Sequence, residues 1–126
     1  MMSKYPQVLQ VIRAVRTQVQ WKPGSAIRHL RKRKLRRHLP ATATPEDYER
    51  IILTVLHDES AQVYHYWYNR VPYITVVATV QGQQWLVMFG YDGVMESAFV
   101  VERPEHYLSK PGFESIGRLG EMDYEL

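Results

Sequence analysis

The 126-residue chain contains no cysteine, which excludes a disulfide framework, a thiolate metal site and a cysteine nucleophile, and leaves the redox compartment open. It also lacks a long hydrophobic run. Its apolar stretches are broken by Tyr, Gln, Arg or Glu within a few residues, short of the roughly 20 apolar residues that a spanning helix needs, so no membrane span is expected. The first residues lack the apolar core of a secretory signal, and the expected location is the cytoplasm. Residues 1–40 contain no acid, a bias shared with organellar presequences, although those are usually richer in Ser. A glycine-rich phosphate loop, a nucleophile elbow and an obvious catalytic triad are absent as well. His57, Asp58, Glu59 and His65 form the one close group of metal-ligating types and match no recurrent ligand spacing. Neither a metal nor a cofactor is expected.

What is present is a division of charge. Residues 1–40 carry 11 Lys and Arg against no acid, and residues 41–126 carry 5 against 13, so the two parts stand near +11 and −8 within a net charge of +3. The chain therefore reads as a basic helical arm, 1–40, followed by an α+β domain, 41–126. Such an arm suits nucleic-acid phosphates, a membrane surface or an acidic protein partner, and it can equally fold back on its own acidic body.

Periodicity supplies the elements. From Tyr5 to Gln20, Val8, Leu9, Val11, Ile12, Val15 and Val19 fall at helical spacing, with a strand as the competing reading because Val11, Val15 and Val19 are β-branched. Pro23-Gly24 stops that segment, and Ser25 is placed to cap a second helix through residues 26–39. Ile27, Leu30, Leu35 and Leu39 give that helix only a thin apolar stripe. Seven of the eleven residues from Arg28 to His38 are Arg or Lys, so partial order is expected until an anion screens them. Thr44-Pro45-Glu46-Asp47 is a helix start, with a capping hydroxyl, proline in the first turn and acids at the positive end of the dipole. Tyr48, Ile51, Ile52, Val55 and Leu56 then form a core-facing stripe as far as His57.

Beyond Ser60 the period changes to two. Strands are expected over 61–69, 73–80, 84–90 and 94–101, joined by turns at Arg70-Val71-Pro72, Gln81-Gly82 and Asp92-Gly93. Residues 104–108 begin a short helical turn, and an acidic tail follows. The fold class is α+β, N-terminal helices followed by a four-stranded antiparallel meander, with the third helix on one sheet face.

The helix-then-meander order over Thr44–Glu102, and the stretch WLVMFGYDGVMESAF with its Ser97-Ala98-Phe99 ending, resembles the superfamily of small metal-independent RNases that includes barnase, the colicin ribonucleases and RelE-type toxins. That resemblance implies cleavage of RNA at the 2′-hydroxyl through a cyclic phosphate, by a base, an acid and cations placed on the sheet. Ser97 is the position that matches a hydroxyl residue before Ala-Phe.

The residues offer their own candidates. His57 and His65 flank the helix-to-strand turn and can act as a base and acid pair; alternatively His57 serves the helix dipole and His65 is a strand residue. Glu96 lies between hydrophobic residues that would raise its pKa, or else it is an outward rung. Arg70 and Arg103 either clamp a phosphate or pair with carboxylates. Tyr64, Tyr66 and Tyr68 line one strand face and can stack bases beside the cationic run of Arg28, Arg31, Lys32, Arg33, Lys34, Arg36 and Arg37, or they are core. Three readings follow: a ribonuclease-like toxin, a non-catalytic nucleic-acid-binding adaptor, or a subunit docking an acidic protein partner through its basic arm.

Overall fold

The computed structural model describes residues 7–123, and the sheet at its centre fixes the position of everything else. The elements run α1 (Gln7–Thr17), β1 (Gln20–Trp21), α2 (Ser25–Leu35), α3 (Pro45–His57), β2 (Gln62–Tyr68), β3 (Val71–Val80), β4 (Gln83–Gly90), β5 (Val94–Val100), α4 (Pro104–Tyr107), β6 (Phe113–Arg118) and α5 (Leu119–Asp123). The expected α+β class and the meander β2-β3-β4-β5 are present. The meander is widened at both edges into a mixed six-stranded sheet of order β1-β5-β4-β3-β2-β6. β1 runs parallel to β5, and the other pairs are antiparallel. Residues 5 and 6 of the expected first helix, and residues 124–126 of the acidic tail, lie outside the described residues.

The turns follow from backbone sign. Asn69 and Arg70 have φ of 50° and 65°, and Gln81 and Gly82 have φ of 51° and 79°, the positive pairs that match the twist of two-residue hairpins. The first hairpin thus turns at Asn69-Arg70 and not at Arg70-Val71-Pro72 as expected. Pro72 lies inside β3 opposite Trp67, beyond Tyr73–Gly90, where β4 has ended, so its missing N–H breaks no ladder bond. Residues 91–93 join β4 to β5. The Gly93 N–H donates to the Gly90 carbonyl at 3.0 Å, Asp92 Oδ1 accepts from the Val94 N–H at 3.0 Å, and Gly93 takes the left-handed φ of 80°. Further along, Met88 pairs with Ser97 and Phe89 with Met95, which leaves Glu96 as the extra residue of a bulge.

Alternation divides the sheet into two faces. Val63, Ile74, Val76, Trp85, Val87, Phe89 and Ala98 form one core with the inward residues of α1, α2 and α3, so residues of 1–40 and of 41–126 share it. Val77, Leu86 and Met88 lie on the opposite face under Val101 and the segment after β5. α3 begins as expected. Thr44 Oγ1 accepts from the Asp47 N–H at 3.2 Å, while Asp47 Oδ2 accepts from the Thr44 N–H at 2.8 Å.

The edge of β5 explains how the helices attach. β1 covers only Val94 and Met95, so the backbone groups farther along β5 need other partners. Side chains provide them. The Tyr48 hydroxyl donates to the Ala98 carbonyl at 2.6 Å, Arg33 Nη1 approaches the same oxygen at 3.5 Å, and the Val100 N–H donates to His38 Nδ1 at 3.3 Å. Removing the hydroxyl by Tyr48→Phe leaves that carbonyl with one long contact. The substitution should lower unfolding stability by about 1–2 kcal/mol, read as a shift of the urea midpoint without a change of slope.

Candidate nucleic-acid interface

α2 forms a continuous helix despite its charge, with Ser25, Leu30 and Arg33 buried. Leu30 joins the main core, and Arg33 is only 4% exposed, with its guanidinium 5.6 Å from the centre of the Phe99 ring. The helix begins at Gly24, whose φ of 77° breaks the preceding chain; Ser25 is the first helical residue and buried, and makes no side-chain cap, contrary to expectation. Its C-terminus closes without glycine. Arg37 adopts φ of 58°, its N–H reaches the Lys34 carbonyl at 3.0 Å, and the His38 N–H reaches the Arg33 carbonyl at 2.8 Å. Of the expected stripe, Leu30 and Leu39 are buried, while Ile27 and Leu35 face solvent.

With Leu30 and Arg33 inward, Arg28, Arg31, Lys32, Arg36 and Arg37 are exposed and Lys34 is half-buried. Among the described residues the ion pairs Arg50–Asp47 and Arg118–Glu121 involve none of these cations. Among the described residues no carboxylate forms an ion pair with this helix. Arg33 is different, since burial lowers its pKa and its Nε finds no acceptor among the described residues.

The tyrosines occupy the sheet face opposite the N-terminal helices. Tyr64 and Tyr66 are half-buried and Tyr68 is exposed. Tyr68 stacks on Tyr66 with ring centres 6.1 Å apart, Tyr66 on Phe113 at 4.0 Å, Phe113 meets Tyr107 at 5.7 Å, and Tyr107 meets Phe99 at 5.8 Å. A chain of five rings therefore leads from the β2-β3 tip to the ring beneath Arg33. Arg70 is exposed at that tip, beside exposed Trp67 and Val71. Gly112 keeps the covering segment close: a Cβ there would lie 2.6 Å from the Trp67 carbonyl oxygen, and its φ is 104°.

The catalytic candidates are dispersed. His57 is exposed at the end of α3, with Nδ1 2.8 Å from the Leu53 carbonyl. His65 is buried on the helix side of the sheet, 4.9 Å from the Trp67 ring and 5.8 Å from that of Tyr91. The two do not form a shared exposed site. Glu96 is exposed on the bulge, and Ser97 Oγ lies 3.4 Å from His29 Nδ1 on α2. Among the described residues no group of three or more His, Asp or Glu is placed to hold a metal ion, and no helix is long and apolar enough to cross a membrane.

His29 and His38 had no local signal in the sequence, because their partners lie more than 60 residues away. Burial, then the neighbouring cations, lower the pKa of both below the ordinary imidazole value, with Glu102 acting weakly the other way on His38. His38 accepts at Nδ1, so the neutral ring holds its proton on Nε2. Family models, curated proteins and solved structures yield no match to the chain.

For histidines depressed on folding, the unfolded chain binds more protons below about pH 6.5, so stability present above that value is lost as pH falls toward the folded values. The urea midpoint should accordingly fall between pH 7 and pH 5.5. The double substitution His29→Gln, His38→Gln should flatten that decline, and an unchanged slope would contradict the assignment.

Proposed function

We propose that this is a cytoplasmic nucleic-acid-binding protein, acting on RNA, whose primary contact is the outward face of α2. The observation that carries this reading is the set of exposed cations at Arg28, Arg31, Lys32, Arg36 and Arg37, none of which pairs with a carboxylate of the described residues. Guanidinium and ammonium groups without a carboxylate partner among the described residues are suited to contact phosphates and release counterions. The aromatic chain ending at Tyr68 adds surfaces on which unpaired bases can stack.

Binding without cleavage is favoured over the ribonuclease reading. In-line attack by a 2′-hydroxyl requires an acid, a base and a cation around one phosphate. His57 is exposed while His65 is buried under the helices, so the expected base and acid pair is not assembled, and Ser97, beside exposed Glu96, has His29 of α2 as its neighbour at 3.4 Å. Docking of an acidic protein uses the same cations and differs in its outcome below.

The test is fluorescence anisotropy with a labelled RNA across a range of salt, using the wild-type chain and Arg31→Glu, Lys32→Glu. The logarithm of affinity should fall linearly with the logarithm of salt, and the double variant should reduce that slope by about two and weaken binding at least tenfold. Absence of binding at about 150 mM salt, with a stable complex formed by an acidic protein, would establish the docking reading instead. RNA cut in EDTA by the wild type but not by His57→Ala would restore the ribonuclease.

A further inference from the structure

Between the C-terminal end of α2 and α4 lies an open cleft of about 550 Å³, bounded by Arg36, His38, Phe99, Arg103, His106 and Tyr107. Its size falls within the range of small-ligand sites. Four of these six residues carry basic side chains, and two present ring faces or edges. The one carboxylate on the wall is Glu102. Arg36, Arg103 and His106 are exposed, so their side chains can reach a ligand without unfolding anything.

A second, independent feature lies directly behind this wall. Arg33 is 4% exposed, has no carboxylate partner among the described residues, leaves Nε without an acceptor, and lies over the Phe99 ring that faces the cleft. A buried guanidinium is normally paired, because taking its charge out of water is unfavourable unless an anion or full hydrogen bonding offsets it. Among the described residues the guanidinium makes a long contact to the Ala98 carbonyl and lies over the ring. The local field therefore stays positive, and an anion entering the cleft meets the fixed charges of Arg33, Arg36 and Arg103 against that of Glu102.

From this geometry we infer that the cleft binds one nucleotide unit, its phosphate held by Arg36 and Arg103 and its base laid against the Phe99 and Tyr107 wall. The guanidinium pair suits the forked geometry of phosphate oxygens, and the rings accept any base because every base has an apolar face. His38 presents a neutral Nε2–H, a donor that suits a phosphate or ribose oxygen. A base can enter only when it is unpaired, so this site selects single-stranded RNA or a free nucleotide, whereas the phosphates of a duplex remain within reach of the outer face of α2 alone. The single-strand part of the inference rests on the RNA-binding reading above.

The experiment is a chemical-shift titration of the full chain with adenosine 5′-monophosphate, a single-stranded RNA 10-mer and a duplex of the same sequence, alongside anisotropy on Arg103→Ala and His106→Ala. The single strand and the mononucleotide should both move the signals of Phe99, Val100, Arg103 and Tyr107. Arg103→Ala should weaken single-strand binding about tenfold and duplex binding less than twofold, the loss of one charge-assisted contact. Shifts of those residues with the mononucleotide, and no binding of either RNA, would mean that the RNA reading fails while the cleft serves a free nucleotide. Unmoved cleft signals with all three probes, or equal losses on single strand and duplex, would overturn the site. Because the shift map uses the wild-type chain, a variant that folds poorly does not shield the inference.

Discussion

The outer edge of β5 is the constraint on which the arrangement of this protein depends. A strand edge carries backbone groups that must be paired, and β1 reaches only the first two residues of β5. Farther along, Tyr48 from α3 and Arg33 from α2 meet the Ala98 carbonyl, and His38 from the turn after α2 accepts from the Val100 N–H. These contacts use one buried side of the basic segment. The helical repeat then directs the other cations to solvent, so the exposed charge of α2 is a geometric consequence of closing a sheet edge.

Much of this architecture could be read from residues alone. Period-two alternation gave the four strands of the meander, and the Thr44-Pro45 start and the stripe of Tyr48, Ile52 and Val55 placed α3. What could not be read are features set by distant partners. β1 is two residues long, too short for any pattern, and exists because Gln20 and Trp21 fall beside Val94 and Met95. β6 carries Gly117 and a bulge opposite Val63 and Tyr64, which blurs its alternation. The hairpin at Asn69-Arg70 shifted because left-handed backbone at Asn and Arg is weakly marked, whereas proline is a conspicuous but misleading sign of a turn.

The candidate site shows the same division. The density of Arg and Lys in α2 is obvious in the sequence, but the inward rotation of Arg33 depends on Ala98 and Phe99, more than 60 residues away. The tyrosine row was legible as a row. Its extension through Phe113 and Tyr107 to Phe99 requires the chain to cross the sheet after β5, which no local signal announces. His57 and His65 are close in sequence and suggest a pair, yet strand alternation sends His65 under the helices while the end of α3 leaves His57 outside.

One helix both helps to close the β5 edge and displays the cations. Moving α2 off the sheet would free the Val100 amide, which His38 holds, while the Ala98 carbonyl would keep the Tyr48 hydroxyl of α3. The pairing of that strand margin is therefore tied to the placement of the charged face.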